Sequence, residues 1–298
     1  MEHNQAKPNR EKPSQMAEGI AMQRFAESCK EEDERICYDP YAVHFIRPEI
    51  IEFGMKHPEE AKELIQKNES LFPGLSSSIM ARVRYFDDLI KKSIEKGLEQ
   101  LVILGAGYDT RAYRIEELKD DINIFEVDHP HTQGFKIGKI KEIFGSTPNT
   151  VKYVPVDFET EKFSGKILNK GYNSSKKTLF VLEGLVMYIP PEAVSEIFSF
   201  IMKNSCKGSE VIFDYYPQSV VDGTCKLEIG QNIRAHLINL EEPLQFGIEK
   251  EEMENFLKGF GFSNIENVTS ADYKKAYFHG KNKNRPVCEL LYFAQAVV

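Results

Sequence analysis

A run of four apolar residues, Leu101-Val102-Ile103-Leu104, passes without a break into Gly105-Ala106-Gly107. Unbroken apolarity suits a strand buried on both faces, as a parallel strand is inside a helix-covered sheet. Glycine at the strand's carboxyl end lets the backbone come close to a ligand, and open α/β sheets bind ligands at that end. Segments 122–127, 151–156, 178–182 and 211–215 have the same strand character. Helical stretches lie between them, such as 191–204 with proline in its first turn. The alternation predicts an α/β fold with a doubly wound, Rossmann-like sheet. Closing strands are expected at 263–268 and 287–297, making seven strands. Only a short polar segment without a helix pattern separates these two, so the last strand should run antiparallel.

The 298 residues suffice for one large domain with a helical cap. Residues 1–15, rich in Lys, Asn, Pro and Glu, read as a disordered tail. Residues 16–75 read as a helical cap broken at Pro40, Pro48, Pro58 and Pro73. A clear helix follows, with an N-cap expected among Ser76–Ser78, an apolar stripe at Ile79, Val83, Phe86, Ile90 and Ile94, and a stop at Gly97. It opens the core, 76–298. Residues 217–248, with Gly223, Gly230, Pro243 and Gly247, interrupt the alternation as a long non-regular segment, the usual form of a lid or substrate-binding insertion.

The formal charge of −8 argues against a general grip on nucleic acid. The five cysteines are scattered without a C-x-x-C pair, which suits reduced thiols and offers no metal site. Neither a signal peptide nor a run of membrane-spanning length is evident. A cytoplasmic protein with no membrane partner is expected.

Successive strands end in Gly105-Ala106-Gly107, Asp128, Asp157 and Glu183-Gly184. Asp128 lies about twenty residues past the glycines, where a carboxylate meets ribose hydroxyls. Asp157 can accept from an adenine amino group, Phe158 can lie against the base, and Glu183 can meet a cationic part of the ligand. Helix capping is the competing reading of each Asp. The third glycine of the dinucleotide fingerprint is replaced by Thr110, and Asp109 would repel a pyrophosphate. S-adenosylmethionine has no phosphate; its sulfonium and ammonium suit an acidic pocket. Arg82, flanking the apolar stripe beside Phe86, is the candidate for its carboxylate, while Arg84 projects toward solvent.

These residues resemble the leucine carboxyl methyltransferase family, including its bacterial polyketide-tailoring O-methyltransferases. The matching pieces are Asp39-Pro-Tyr41 with His44-Phe45, Ala81-Arg82-Val83, Leu104-Gly-Ala-Gly-Tyr-Asp-Thr-Arg111, Phe125-Glu-Val-Asp128 with Pro130, Asp157 and Leu182-Glu-Gly-Leu-Val-Met-Tyr188. Pro243-Leu-Gln-Phe-Gly247 and Gly259-Phe-Gly-Phe262 resemble its later segments. The resemblance implies a class I methyltransferase sheet with a reversed last strand and a helical cap over the cofactor. It implies cofactor contacts at Arg82, Gly105, Gly107, Asp128, Asp157, Phe158 and Glu183; Ala106, Asp109, His129 and Gly184 adjoin them. His129 is expected on the adenosine side. Protein-directed members place an N-terminal lysine on the cofactor carboxylate. This chain reads Gln23-Arg24-Phe25-Ala26 there, which leaves Arg24 as the substitute.

For the acceptor, Tyr85, Tyr188, Tyr215 and Tyr216 are expected near the pocket, with Tyr188 as the catalytic candidate; ordinary core aromatics are the alternative. No residue stands out as a dedicated base. That favours a carboxylate acceptor, ionised near neutral pH, over a hydroxyl. The expected activity is therefore S-adenosylmethionine-dependent O-methylation of a small-molecule carboxylate. The alternatives are a protein C-terminus as acceptor, cofactor binding without catalysis, or an NAD-dependent oxidoreductase.

Overall fold

The computed structural model describes residues 13–118 and 121–298. Residues 1–12 of the expected tail lie outside that range. At its end Ser14 caps α1 (Gln15–Ser28), accepting from the Ala17 N–H at 3.1 Å. Helices α2 (Pro48–Lys56), α3 (Pro58–Leu71) and α4 (Leu75–Glu95) follow, two of them opened by a proline at N1. The rest alternates: β1 (Gln100–Leu104), α5 (Arg111–Arg114), β2 (Asn123–Asp128), α6 (Pro130–Phe144), β3 (Val151–Pro155), α7 (Phe163–Asn169), β4 (Thr178–Leu182), α8 (Pro191–Lys203) and β5 (Glu210–Tyr215). Then come α9 (Gln218–Asp222), α10 (Glu228–Asn239), α11 (Met253–Phe260), β6 (Ser263–Val268), α12 (Ser270–Tyr277) and β7 (Tyr292–Val297).

The strand order is β3-β2-β1-β4-β5-β7-β6. The first five strands are parallel, and β7 runs antiparallel between β5 and β6. Side chains alternate across the pleat. Leu101 and Ile103 therefore join the layer beneath α4 and α12, while Val102 and Leu104 join the layer beneath α7, α8 and α11. With apolar layers on both faces, β1 can only be a continuous apolar run. The seven-stranded, doubly wound sheet with a reversed last strand is as expected.

Three local expectations fail. The N-cap of α4 is Gly74 at φ 73°, not one of Ser76–Ser78. A Cβ on Gly74 would sit 2.5 Å from the Val287 backbone, so close chain approach demands glycine. Ser78 is buried instead, its Oγ accepting from Cys288 N–H at 2.8 Å and from Tyr273 O–H at 2.9 Å. Between β6 and β7, α12 replaces the expected non-helical segment. Its start is marked by a capping box, in which Thr269 and Asp272 satisfy each other's backbone N–H. Segment 217–248 is not irregular: α9 and α10 occupy much of it.

A cofactor cradle and an acceptor chamber

A cavity of about 750 Å³ opens over the carboxyl ends of the parallel strands, within the size range of small-molecule sites. Gly105-Ala106-Gly107, Tyr108, Asp109, Asp128, His129, Phe158 and Glu183-Gly184 form its floor and one wall. Gly105 turns at φ 68°, and a Cβ there would meet the Leu185 side chain at 2.9 Å. Helix α1 lies on this turn: Arg24 donates to Tyr108 O at 2.6 Å, with Nε 3.3 Å from Asp39 Oδ2. Asp128 accepts from the backbone N–H groups of Gly107 and His129. Burial pushes its carboxyl up, against the pull of those two N–H groups. His129 caps α6 beside it.

Beneath the floor is a buried ion network. Arg111 donates from Nε to Asp87 at 2.6 Å and from Nη1 to Asp109 and Glu183, each at 2.5 Å. Arg82 donates from Nε to Glu183 at 3.0 Å and from Nη1 to Asp214 at 2.6 Å. Among the described residues Arg82 Nη2 makes no hydrogen bond, and Arg82 lines the cavity. Burial alone would raise Glu183, but the Arg111 and Arg82 guanidiniums hold it below its ordinary value. Burial keeps Asp214 above its own, against the attraction of Arg82.

Burial opposes ionisation of Asp109 too, yet the Arg111 guanidinium draws its carboxyl down to about 2. Asp109 therefore stabilises the fold fully above its unfolded value of about 3.9 and loses that contribution as pH falls toward 2. Asp109→Asn should cost about 2 kcal/mol near neutral pH, with the gap to wild type closing between about pH 4 and pH 2. Urea unfolding across that range checks it; a pH-independent gap would contradict it.

The charges also test the cofactor. Arg82, Arg111 and Arg114 face four carboxylates, Asp87, Asp109, Glu183 and Asp214. Asp128 adds a fifth, held by backbone N–H groups. A pyrophosphate would meet surplus negative charge, whereas a sulfonium and an ammonium outweighing one carboxylate would offset it. The residues fit S-adenosylmethionine.

The structure gathers most of the expected residues. Arg24, Arg82, Gly105, Ala106, Gly107, Asp109, Asp128, His129, Phe158, Glu183, Gly184 and Tyr188 all line the cavity. Asp157 does not: its carboxylate accepts from Glu159 N–H and Thr160 O–H at 3.0 Å each, holding a turn rather than capping a helix, since α7 starts only at Phe163. Tyr85 is also absent from the wall, packing on Phe86 and on Phe293 with ring centroids 5.6 Å apart. Tyr215 points away too, donating to Asn267 at 2.9 Å and stacking on Tyr292. Along β5 successive side chains alternate faces, so Tyr215 turns away while Asp214 turns to Arg82 and Gly184 beneath the cavity floor. Sequence reading missed Asp214, which accepts from the Gly184 N–H at 2.6 Å as well as from Arg82. Its position at the end of the strand was the available signal. Arg111 was visible only as a motif letter.

These features define a methyltransferase-type sheet with its ligand cleft at the strand ends. The leucine carboxyl methyltransferase family matches residues 17–202, more than half of the chain, and the chain belongs to that family. A Bacillus subtilis (strain 168) protein named "Putative S-adenosyl-L-methionine-dependent methyltransferase YktD" is 29% identical over 261 residues, covering 86% of this chain and 82% of that protein. A Mycolicibacterium gilvum (strain PYR-GCK) protein named "Putative S-adenosyl-L-methionine-dependent methyltransferase" is 28% identical, covering 75% of this chain and 74% of that protein. The fold is shared with a DUF574 family protein of Streptomyces avermitilis, with a TM-score of 0.59, 15% identity and coverage of 93% and 96%. No described helix is long and apolar enough to cross a membrane.

Proposed function

We propose that the protein is an S-adenosylmethionine-dependent O-methyltransferase whose acceptor is a carboxylate on a small molecule. The observation that carries the cofactor is the buried surplus of carboxylates around Arg82 and Arg111, which favours a cationic, phosphate-free nucleoside. When bound, that cofactor supplies a methyl group on a sulfonium. In this reading Asp128 accepts from the ribose diol, Phe158 covers the base, and Arg82 Nη2 takes the methionyl carboxylate.

Tyr188 and Tyr216 also line the cavity, both within electrostatic reach of Arg82. Burial raises both phenols, so they remain protonated and act as donors. A donor suits an acceptor that arrives ionised, as a carboxylate does near neutral pH. With the cofactor held by Arg82, Asp128 and Phe158, its methyl group would pass to a carboxylate oxygen oriented by Tyr188 and Tyr216, and the S–C electron pair would remain on the departing thioether sulfur. Neither tyrosine has to take a proton. Alignment in such a chamber is worth about 7–11 kcal/mol of barrier in well-oriented reactions.

Tyr188→Phe removes one hydrogen bond to a charged acceptor, a loss of about 1.5–3 kcal/mol. The acceptor kcat/KM should fall about tenfold to a hundredfold or more, with cofactor affinity unchanged. Unaltered turnover would assign Tyr188 to packing. Fallen cofactor affinity would place it against the cofactor.

A further inference from the structure

Another part of the cavity wall is built from α4, whose Arg82 also belongs to the cradle, from Asn68 and Phe72 at the end of α3, and from α10. Leu75, Ile79 and Arg82 follow one another along one face of α4, so two apolar turns lead down to the guanidinium. Phe72 closes the side, its ring tilted against that of His236 with centroids 5.1 Å apart. Ile233 and Leu237, one turn apart on α10, face in from the insertion, and Asn232 ties α10 to Leu71 O at 3.1 Å. The polar residues Asn68, His236 and Glu241 are exposed at the mouth. Arg234 also lines the cavity, its Nε donating to Val221 O at 3.1 Å. Outward from it, Ile238 at the mouth is 44% exposed, and Ile65, two turns before Phe72 on α3 and outside the cavity lining, is 67% exposed.

We infer that the acceptor is a lipophilic acid, a carboxylate on an extended alkyl or aryl body, seated with its apolar part between α4 and α10 and its tail toward Ile65 and Ile238. This rests on the carboxyl-methyltransferase reading of the same site. A peptide C-terminus brings an N–H and a C=O with every residue, and each needs a partner when buried. The stretch between α4 and α10, formed by Phe72, Leu75, Ile79, Ile233 and Leu237, offers methyl, methylene and ring surface instead. An alkyl chain needs only that, and its affinity rises with each methylene it buries.

The test is a chain-length series of straight-chain carboxylic acids, titrated into the full chain with and without S-adenosylhomocysteine. Peptides of matched length with a free carboxyl terminus serve as the comparison. Each added methylene should tighten binding about fourfold until the chain reaches solvent, and the bound acids should yield methyl esters by mass spectrometry with S-adenosylmethionine. Leu75→Asn should weaken the longer acids about tenfold while leaving S-adenosylhomocysteine affinity unchanged. Affinity independent of chain length, or a preference for the peptides, would overturn the inference and leave the methyltransferase reading standing. Failure of S-adenosylhomocysteine to bind would strike that reading instead, and the chain-length dependence would still be read on the protein alone.

Discussion

Arg111→Met should destabilise the protein by about 3–5 kcal/mol, the cost of removing one partner from a buried ion pair. Arg111 is 1% exposed and sits where three carboxylates converge. Methionine fills much of the volume but leaves Asp109 and Glu183 without their shared guanidinium. Asp87 keeps Arg114, at 2.8 Å, so the damage concentrates under the glycine turn. The urea midpoint should fall accordingly, while the exposed Arg84–Asp88 pair supplies the control: Arg84→Met should cost less than about 1 kcal/mol. Equal effects at the two arginines would mean that the network contributes nothing beyond surface pairing.

Asp128→Ala should weaken S-adenosylmethionine binding about a hundredfold or more, because two hydrogen bonds to a charged acceptor are each worth about 1.5–3 kcal/mol. Two effects add. The ribose loses its acceptor, and the Gly107 N–H loses the oxygen that fixes the turn. Asp128→Asn separates them. An amide oxygen can still accept from Gly107, so the asparagine variant should keep the turn and lose less affinity than alanine.

The sheet was legible because burial on both faces leaves an unmistakable signature, as in Leu101–Leu104, and because strand ends must turn at glycine or a polar residue. The cradle followed from those ends. What escaped depended on which face a side chain meets. Tyr215 and Asp214 are neighbours in sequence, yet the pleat turns only Asp214 to Arg82 and Gly184. Asp157 was open to a capping and a base-contact reading; in the fold it does neither at the cavity wall, its carboxylate holding the 157–160 turn through Glu159 and Thr160. Tyr85 lies on α4 three residues beyond Arg82, yet its ring turns to Phe293. The helices α9, α10 and α12 lacked an apolar stripe strong enough to announce them, since each buries few residues: Val220 in α9, Gly230, Ile233 and Leu237 in α10, and Tyr273 in α12. For α12 the Thr269–Asp272 capping box was the signal available.

Calorimetric titration of S-adenosylmethionine into the wild type and into Asp128→Ala tests the central claim most directly. Saturable one-to-one binding to the wild type, lost or weakened about a hundredfold in the variant, is the result predicted. A folded wild type that takes up no S-adenosylmethionine, with or without a carboxylic acid present, would contradict the account. Binding of a nicotinamide dinucleotide in its place would turn the site over to hydride transfer.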